Sequence, residues 1–214
     1  MRKNLMQLHH KEAMTPLGHD KTGGFSLLEL LLVMAIVAGL SAMFFEANAP
    51  ARQRAQKLRC SDNLQKIFLA LEIYRNDFGK FPVATNAPTS EVPLNLLVPR
   101  YSADTSIFIC PGGRDGSIPS GASLLTHRIS YAYYMGRDTN AAPRDVVMSD
   151  RQVNTLAKAP GGQVFSLDGK SPGNNHNKSG GNFLFCDGSV ESSEPVTTLS
   201  LSLSNGVVLL NPKP

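Results

Sequence analysis

Residues 25–45 form a single apolar run, and no other feature of the chain restricts its folding as much. Seventeen of these 21 residues are Ala, Val, Ile, Leu, Met or Phe, the exceptions being Ser26, Glu29, Gly39 and Ser41. A helix of roughly 20 residues matches the hydrocarbon core of a bilayer. Leu, Ile, Val and Phe each favour insertion by about 0.3–0.6 kcal/mol, and the dozen present here outweigh one carboxylate near the end of the run. The expectation is therefore a transmembrane helix. The rival is a secretory signal, whose apolar stretch is about 7–15 residues long and ends at a small-x-small site. Ala47-Asn48-Ala49 fits such a site, but the run is too long and Pro50 follows directly.

Glu29 sharpens the reading. A carboxylate inside a membrane segment is costly unless it has a partner, so its presence asks for a reason. The segment Gly23-Gly24-Phe25-Ser26-Leu27-Leu28-Glu29-Leu30 resembles the cleavage and methylation site of type IV prepilins, including the pseudopilins of type II secretion. The resemblance implies that a prepilin peptidase cuts between Gly24 and Phe25 on the cytoplasmic side and methylates Phe25. It implies a role for Glu29 as well: the new α-amino group of one subunit pairs with Glu29 of a neighbour, which offsets the burial of both charges and sets the stagger between subunits. The leader, residues 1–24, is longer than many of its kind, and Met14 is an alternative start. Arg2, Lys3, Lys11 and Lys21 precede the run, and Arg52, Arg54, Lys57 and Arg59 follow it. Charge counting therefore leaves orientation open, and it is the motif that implies a cytoplasmic leader.

Residues 46–79 read as an extramembrane amphipathic helix continuing the first, about 78 Å in all from 26 to 77 at roughly 1.5 Å per residue. Leu64, Ile67, Phe68, Leu71, Tyr74 and Phe78 recur every three or four residues as one apolar stripe, opposite Gln65, Lys66, Glu72 and Arg75. Pro50 is a kink or a boundary, and Gly79 with Pro82 marks the stop. Residues 60–74, together with Asp77, Gly79, Phe81-Pro82 and Cys110-Pro111, extend the resemblance to a prepilin-type subgroup with a C-terminal His-x(9)-Asp-Gly motif.

Residues 80–214 carry most of the 18 Gly and 14 Pro and read as a loop-rich antiparallel β domain. Short strands are expected at 106–109, 130–135, 145–148 and 162–167. A hairpin of 182–186 with Val190 is expected around the turn Asp187-Gly188-Ser189, with a last strand or a tail at 207–210. The fold class expected is α+β, type IV pilin-like: a long N-terminal transmembrane helix whose outer half packs on a small antiparallel sheet.

His176, Asp187 and Gly188 match the subgroup motif with ten intervening residues in place of nine. The resemblance attaches no chemistry to it; physically, Asp187 tightens a hairpin and His176 hydrogen-bonds across it. Asp168 and Asp187 are weak candidates for a metal, since no loop has the alternating acids of a calcium site, and no metal or cofactor is expected. Ser166, His127, His176 and Asp168 lack the setting of a hydrolase triad, and the Gly pairs at 112–113 and 161–162 lack the rest of a phosphate loop, so no enzyme is expected. Of three cysteines, Cys60 and Cys110 are the expected disulfide in an oxidising compartment, leaving Cys186 free; two separate thiols are the alternative.

The net charge of +4 is a weak argument for nucleic acid, because the basic leader supplies half of it. The function expected is a pilin-like or pseudopilin structural subunit at the bacterial inner membrane, its leader cytoplasmic and its C-terminal domain periplasmic or on the cell surface. Its partners would be the prepilin peptidase, other pilin-like subunits and inner-membrane lipid. The alternative is a membrane-anchored surface binding module that does not polymerise.

Overall fold

The computed structural model describes residues 24–137, 141–204 and 206–214, and for 43–50 the backbone alone. The leader expected at 1–24 lies outside the described residues but for Gly24. The chain divides into two compact units, Met1–Glu46 and Ala47–Pro214.

Helix α1 (Leu27–Phe78) begins with Leu30 N–H donating to Ser26 O at 3.1 Å. Within the first unit every side chain from 24 to 40 is exposed, Phe25, Leu27 and Leu28 by three quarters or more. The expectation of a long N-terminal transmembrane helix is corrected at this point: among the described residues, no helix is long and apolar enough to cross a membrane. Beyond Ala51 the helix turns polar, with Arg52, Gln53, Arg54, Gln56, Lys57 and Arg59.

In the second unit, α1 contributes its apolar stripe to the core. Cys60, Leu64, Ile67 and Leu71 are wholly buried and Ala70 and Tyr74 nearly so, whereas Phe68 is half-buried and Phe78 exposed. The helix ends at Gly79, whose φ of 71° is the left-handed C-terminal cap that glycine adopts without a Cβ clash. A short helix α2 (Glu91–Leu94) and three 3-10 turns follow before the sheet.

The sheet has strands β1 (Tyr131–Met135), β2 (Val146–Asp150), β3 (Gly181–Phe185), β4 (Val190–Ser193) and β5 (Val208–Leu210). Their order is β4-β3-β2-β1-β5, with every pair antiparallel. Alternation along β1 explains why nearly all of it is buried. Tyr131 and Tyr133 join the core cluster that contains the α1 stripe, with Val147, Met148 and Leu184. Ala132 and Tyr134 join a second cluster with Phe165, Phe183, Phe185, Leu201 and Leu209. Both faces of the sheet are thus covered, one by the helix and one by the loops around 164 and 201.

Two expected strands are absent. Residues 105–108 form a 3-10 turn, capped by Asp104 accepting from Ser106 N–H at 3.0 Å. Residues 162–167 make only the single bridge Gln163–Val196, because Val164 and Phe165 both donate to the one carbonyl of Pro195.

The β3–β4 turn bears directly on the motif. Asp187 Oδ1 accepts from Ser189 N–H at 2.9 Å and from Ser189 Oγ at 2.5 Å. Gly188 has φ 83°, and a Cβ there would lie 2.6 Å from the ring of Phe68 on α1. Gly188→Val should therefore cost about 1–3 kcal/mol from backbone strain alone, before any displacement of Phe68. A lower denaturant midpoint with unchanged slope checks this.

Candidate functional site

The apolar segment and the folded domain hold separate candidate sites. Gly24 and Phe25 lie just ahead of α1, and Gly24 has open space around it. Glu29 stands exposed in the first turn of the helix, where the partial positive charge of the N-terminus favours a carboxylate by about 0.3–1 kcal/mol.

In the domain, four elements converge on one buried cluster. Cys60 comes from α1, Cys110 from the chain just after the 3-10 turn, Asp150 from the end of β2, and His176 from the loop before β3. Cys60 and Cys110 are joined in a disulfide with Cα atoms 5.3 Å apart. His176 Nε2 lies 3.5 Å from Cys110 Sγ and 3.3 Å from Asp150 Oδ2. All four residues are buried, and their donor atoms lie within 4.8 Å of one another.

Asp150 is the hub. Its Oδ2 accepts from Asn182 N–H at 2.8 Å and Asn182 Nδ2 at 3.2 Å, and its Oδ1 accepts from Asn175 Nδ2 at 2.8 Å. Asn175 Nδ2 also donates to Ser130 O at 2.7 Å. Ser130 Oγ in turn accepts from Cys110 N–H at 2.8 Å, so a continuous polar network ties the disulfide to β2, to β3 and to the residue that leads into β1. Gly112 completes the enclosure: a Cβ there would sit 2.7 Å from His176 Nδ1 and 2.6 Å from Asn175 O. Beside it, Asp115 pairs with buried Arg151 at 3.3 Å and with Arg128 at 2.8 Å. Burial lowers Arg151 from its ordinary value, and Asp115 opposes that.

The sequence candidates are distributed accordingly. The structure brings together Cys60, Cys110 and His176. It keeps Asp187 and Gly188 in their own turn, so the hydrogen bond expected from His176 across the hairpin is not made; His176 Nε2 instead faces Cys110 Sγ, with Asp150 Oδ2 3.3 Å away. Asp168 is exposed, accepting from Ser166 Oγ and Lys170 N–H at 2.9 Å each, and these hydrogen bonds hold its carboxyl below the usual range. His127 contacts Ser123 and Thr126, so no triad forms from Ser166, His127, His176 and Asp168. Cys186 is a free, half-buried thiol, and burial pushes it up to about 11, which leaves little thiolate at neutral pH.

Asp150 and Asn175 were missed in the sequence, where neither carries a local signal: Asp150 ends an apolar strand and Asn175 sits in a polar loop. No family model, curated protein or solved structure matches the chain.

Proposed function

We propose that the chain is a non-enzymatic pilin-like or pseudopilin subunit of the bacterial inner membrane. A prepilin peptidase cleaves it between Gly24 and Phe25 and methylates Phe25, and it assembles with other pilin-like subunits through the N-terminal part of α1. The leader faces the cytoplasm and the C-terminal domain faces the periplasm or the cell surface. One observation carries the reading: a helix segment apolar on every face, exposed throughout 24–40, is headed by a single carboxylate, Glu29, four residues after Phe25. Apolar surface of this extent marks a place where lipid or other helices bind. A carboxylate at the head of an apolar segment is costly in lipid unless a cation meets it, and cleavage after Gly24 would create one on Phe25.

Two measurements test this. Intact-mass and N-terminal peptide analysis of protein extracted from membranes should give a chain that starts at Phe25 and carries a methyl group. A chain that keeps its leader is a plain anchor, and one that starts near Pro50 is a released domain; either result removes the proposal. Glu29→Val should abolish co-assembly with partner subunits, read by cross-linking and by recovery of sheared filaments, while membrane recovery stays unchanged. Unchanged assembly would favour the binding module that does not polymerise.

A further inference from the structure

We infer that Cys60, Cys110, Asp150 and His176 form a buried, four-coordinate site for a zinc-class divalent metal whenever the Cys60–Cys110 disulfide is reduced. The inference is independent of the pilin-like reading. It rests on donor chemistry and on distance. Two thiolates, an imidazole and a carboxylate suit zinc, which binds sulfur at about 2.3 Å, nitrogen at about 2.0–2.1 Å and carboxylate oxygen at about 2.0–2.2 Å in tetrahedral geometry. Those bond lengths place neighbouring sulfur and nitrogen ligands about 3.6 Å apart and neighbouring nitrogen and oxygen ligands about 3.4 Å apart. The separations here are 3.5 Å for Cys110 Sγ to His176 Nε2 and 3.3 Å for His176 Nε2 to Asp150 Oδ2. Two edges of the tetrahedron therefore already stand at the required length, and all the donor atoms lie within 4.8 Å of one another. The sulfurs have to part, to about 3.8 Å.

The surroundings of the cluster are those of a ligand set held in place. Asn175 and Asn182 orient Asp150 through three hydrogen bonds, the outer support that fixes metal ligands. Gly112 N–H donates to Cys110 Sγ at 3.4 Å, a bond that favours the thiolate. His176 Nδ1 is buried without a hydrogen-bond partner among the described residues. A cleft lined by Gly112, Gly113, Asn175 and Asn177, the residues that flank or cover His176, opens beside the cluster. All four ligand positions come from the protein, so the site is structural and leaves no open position for catalysis.

The chemistry balances in two steps. A dithiol reductant transfers two electrons and two protons: the Cys60–Cys110 bond breaks, two protein thiols form, and the dithiol leaves as its own disulfide. The metal then replaces the two thiol protons, which pass to solvent. His176 binds the metal through the Nε2 lone pair as the neutral ring, with its proton on Nδ1. The same two sulfurs serve both states, so disulfide and metal exclude each other.

The test uses the full-length chain in detergent, reduced with dithiothreitol, freed of it anaerobically and titrated with cobalt(II) as the probe. The reduced chain should take up one equivalent, with a thiolate-to-cobalt charge-transfer band and the intense visible bands of a tetrahedral site. The oxidised chain should take up less than a tenth of that. His176→Gln should weaken binding at least tenfold, Cys186→Ser should leave it unchanged, and reoxidation should expel the metal. A folded, reduced chain that binds no cobalt overturns the inference, as does binding indifferent to His176 or dependent on Cys186. If reduction unfolds the chain, added zinc should restore its near-ultraviolet circular dichroism; an unfolded chain that neither refolds nor takes up metal overturns it equally.

Discussion

Asp150→Ala should lower the stability of the domain by about 3–5 kcal/mol, the range for removing one partner of a fully buried charged network. The carboxylate is wholly buried and receives the backbone N–H of Asn182 and the side-chain amides of Asn182 and Asn175, with His176 Nε2 3.3 Å away. Alanine removes the acceptor of the Asn182 N–H and one acceptor of each amide, while Asn182 Nδ2 keeps Lys57 O and Asn175 Nδ2 keeps Ser130 O. Each buried donor left unpaired costs about 1–3 kcal/mol, and water reaches a site this enclosed only after local opening. Asn175→Ala removes one of these donors and leaves Asp150 with its other partners, so it should cost about 1–3 kcal/mol. Denaturant titration of both variants checks the ordering. Equal losses would mean that Asp150 is no hub, and an Asp150→Ala loss below about 1 kcal/mol would mean that the network adds nothing to stability. Domains are stable by only about 5–15 kcal/mol, so Asp150→Ala should also be recovered at lower yield.

Reduction of Cys60–Cys110 without divalent metal should cost about 4 kcal/mol. The bond closes a loop with a sequence separation of 50, and the loss of chain entropy in the unfolded state scales with the logarithm of that length. Oxidised and reduced protein compared in chelator should differ by this amount in extrapolated stability. Cys60→Ala/Cys110→Ala should resemble the reduced form, with a further loss because two wholly or nearly buried sulfurs leave a cavity. If the reduced and oxidised chains unfold at the same denaturant concentration, the cross-link contributes nothing and the core alone closes the loop.

The helical stripe was legible in the sequence because a period near 3.6 can be read without any knowledge of what it packs against. Leu64, Ile67, Leu71 and Tyr74 needed only their spacing. Strands β1 to β3 were legible from apolar residues between turn signals, the clearest being Asp187-Gly188-Ser189; of β4 only Val190 carried the signal, and β5 read equally as a strand or a tail. Ile107, Phe108 and Ile109 were misread as a strand because a run this short looks the same in a strand and in a buried 3-10 turn. Val164 and Phe165 were misread because burial under a loop leaves the same apolar trace as burial in a ladder. The cluster around Asp150 stood furthest from view. His176 was marked by its motif, yet spacing along the chain suggested Asp187 as its partner, and only the antiparallel pairing of β2 with β3 sets Asp150 beside it. Contacts of this kind follow from topology, and a single sequence carries no local trace of them.

The disulfide also alters how the domain bears load. A pull that enters through the N-terminal part of α1 and leaves anywhere beyond Cys110 passes through the sulfur–sulfur link. The chain between the two cysteines is then bypassed, and the part of α1 after Cys60, α2 and the loops up to Cys110 carry no tension. A molecule stretched from its two ends with the link closed would fall short of full extension by about 170 Å, at roughly 3.4 Å per residue over the separation of 50. Traction on the helix thus reaches the sheet through a covalent tether, and the packing of Leu64, Ile67 and Leu71 against it is spared the strain.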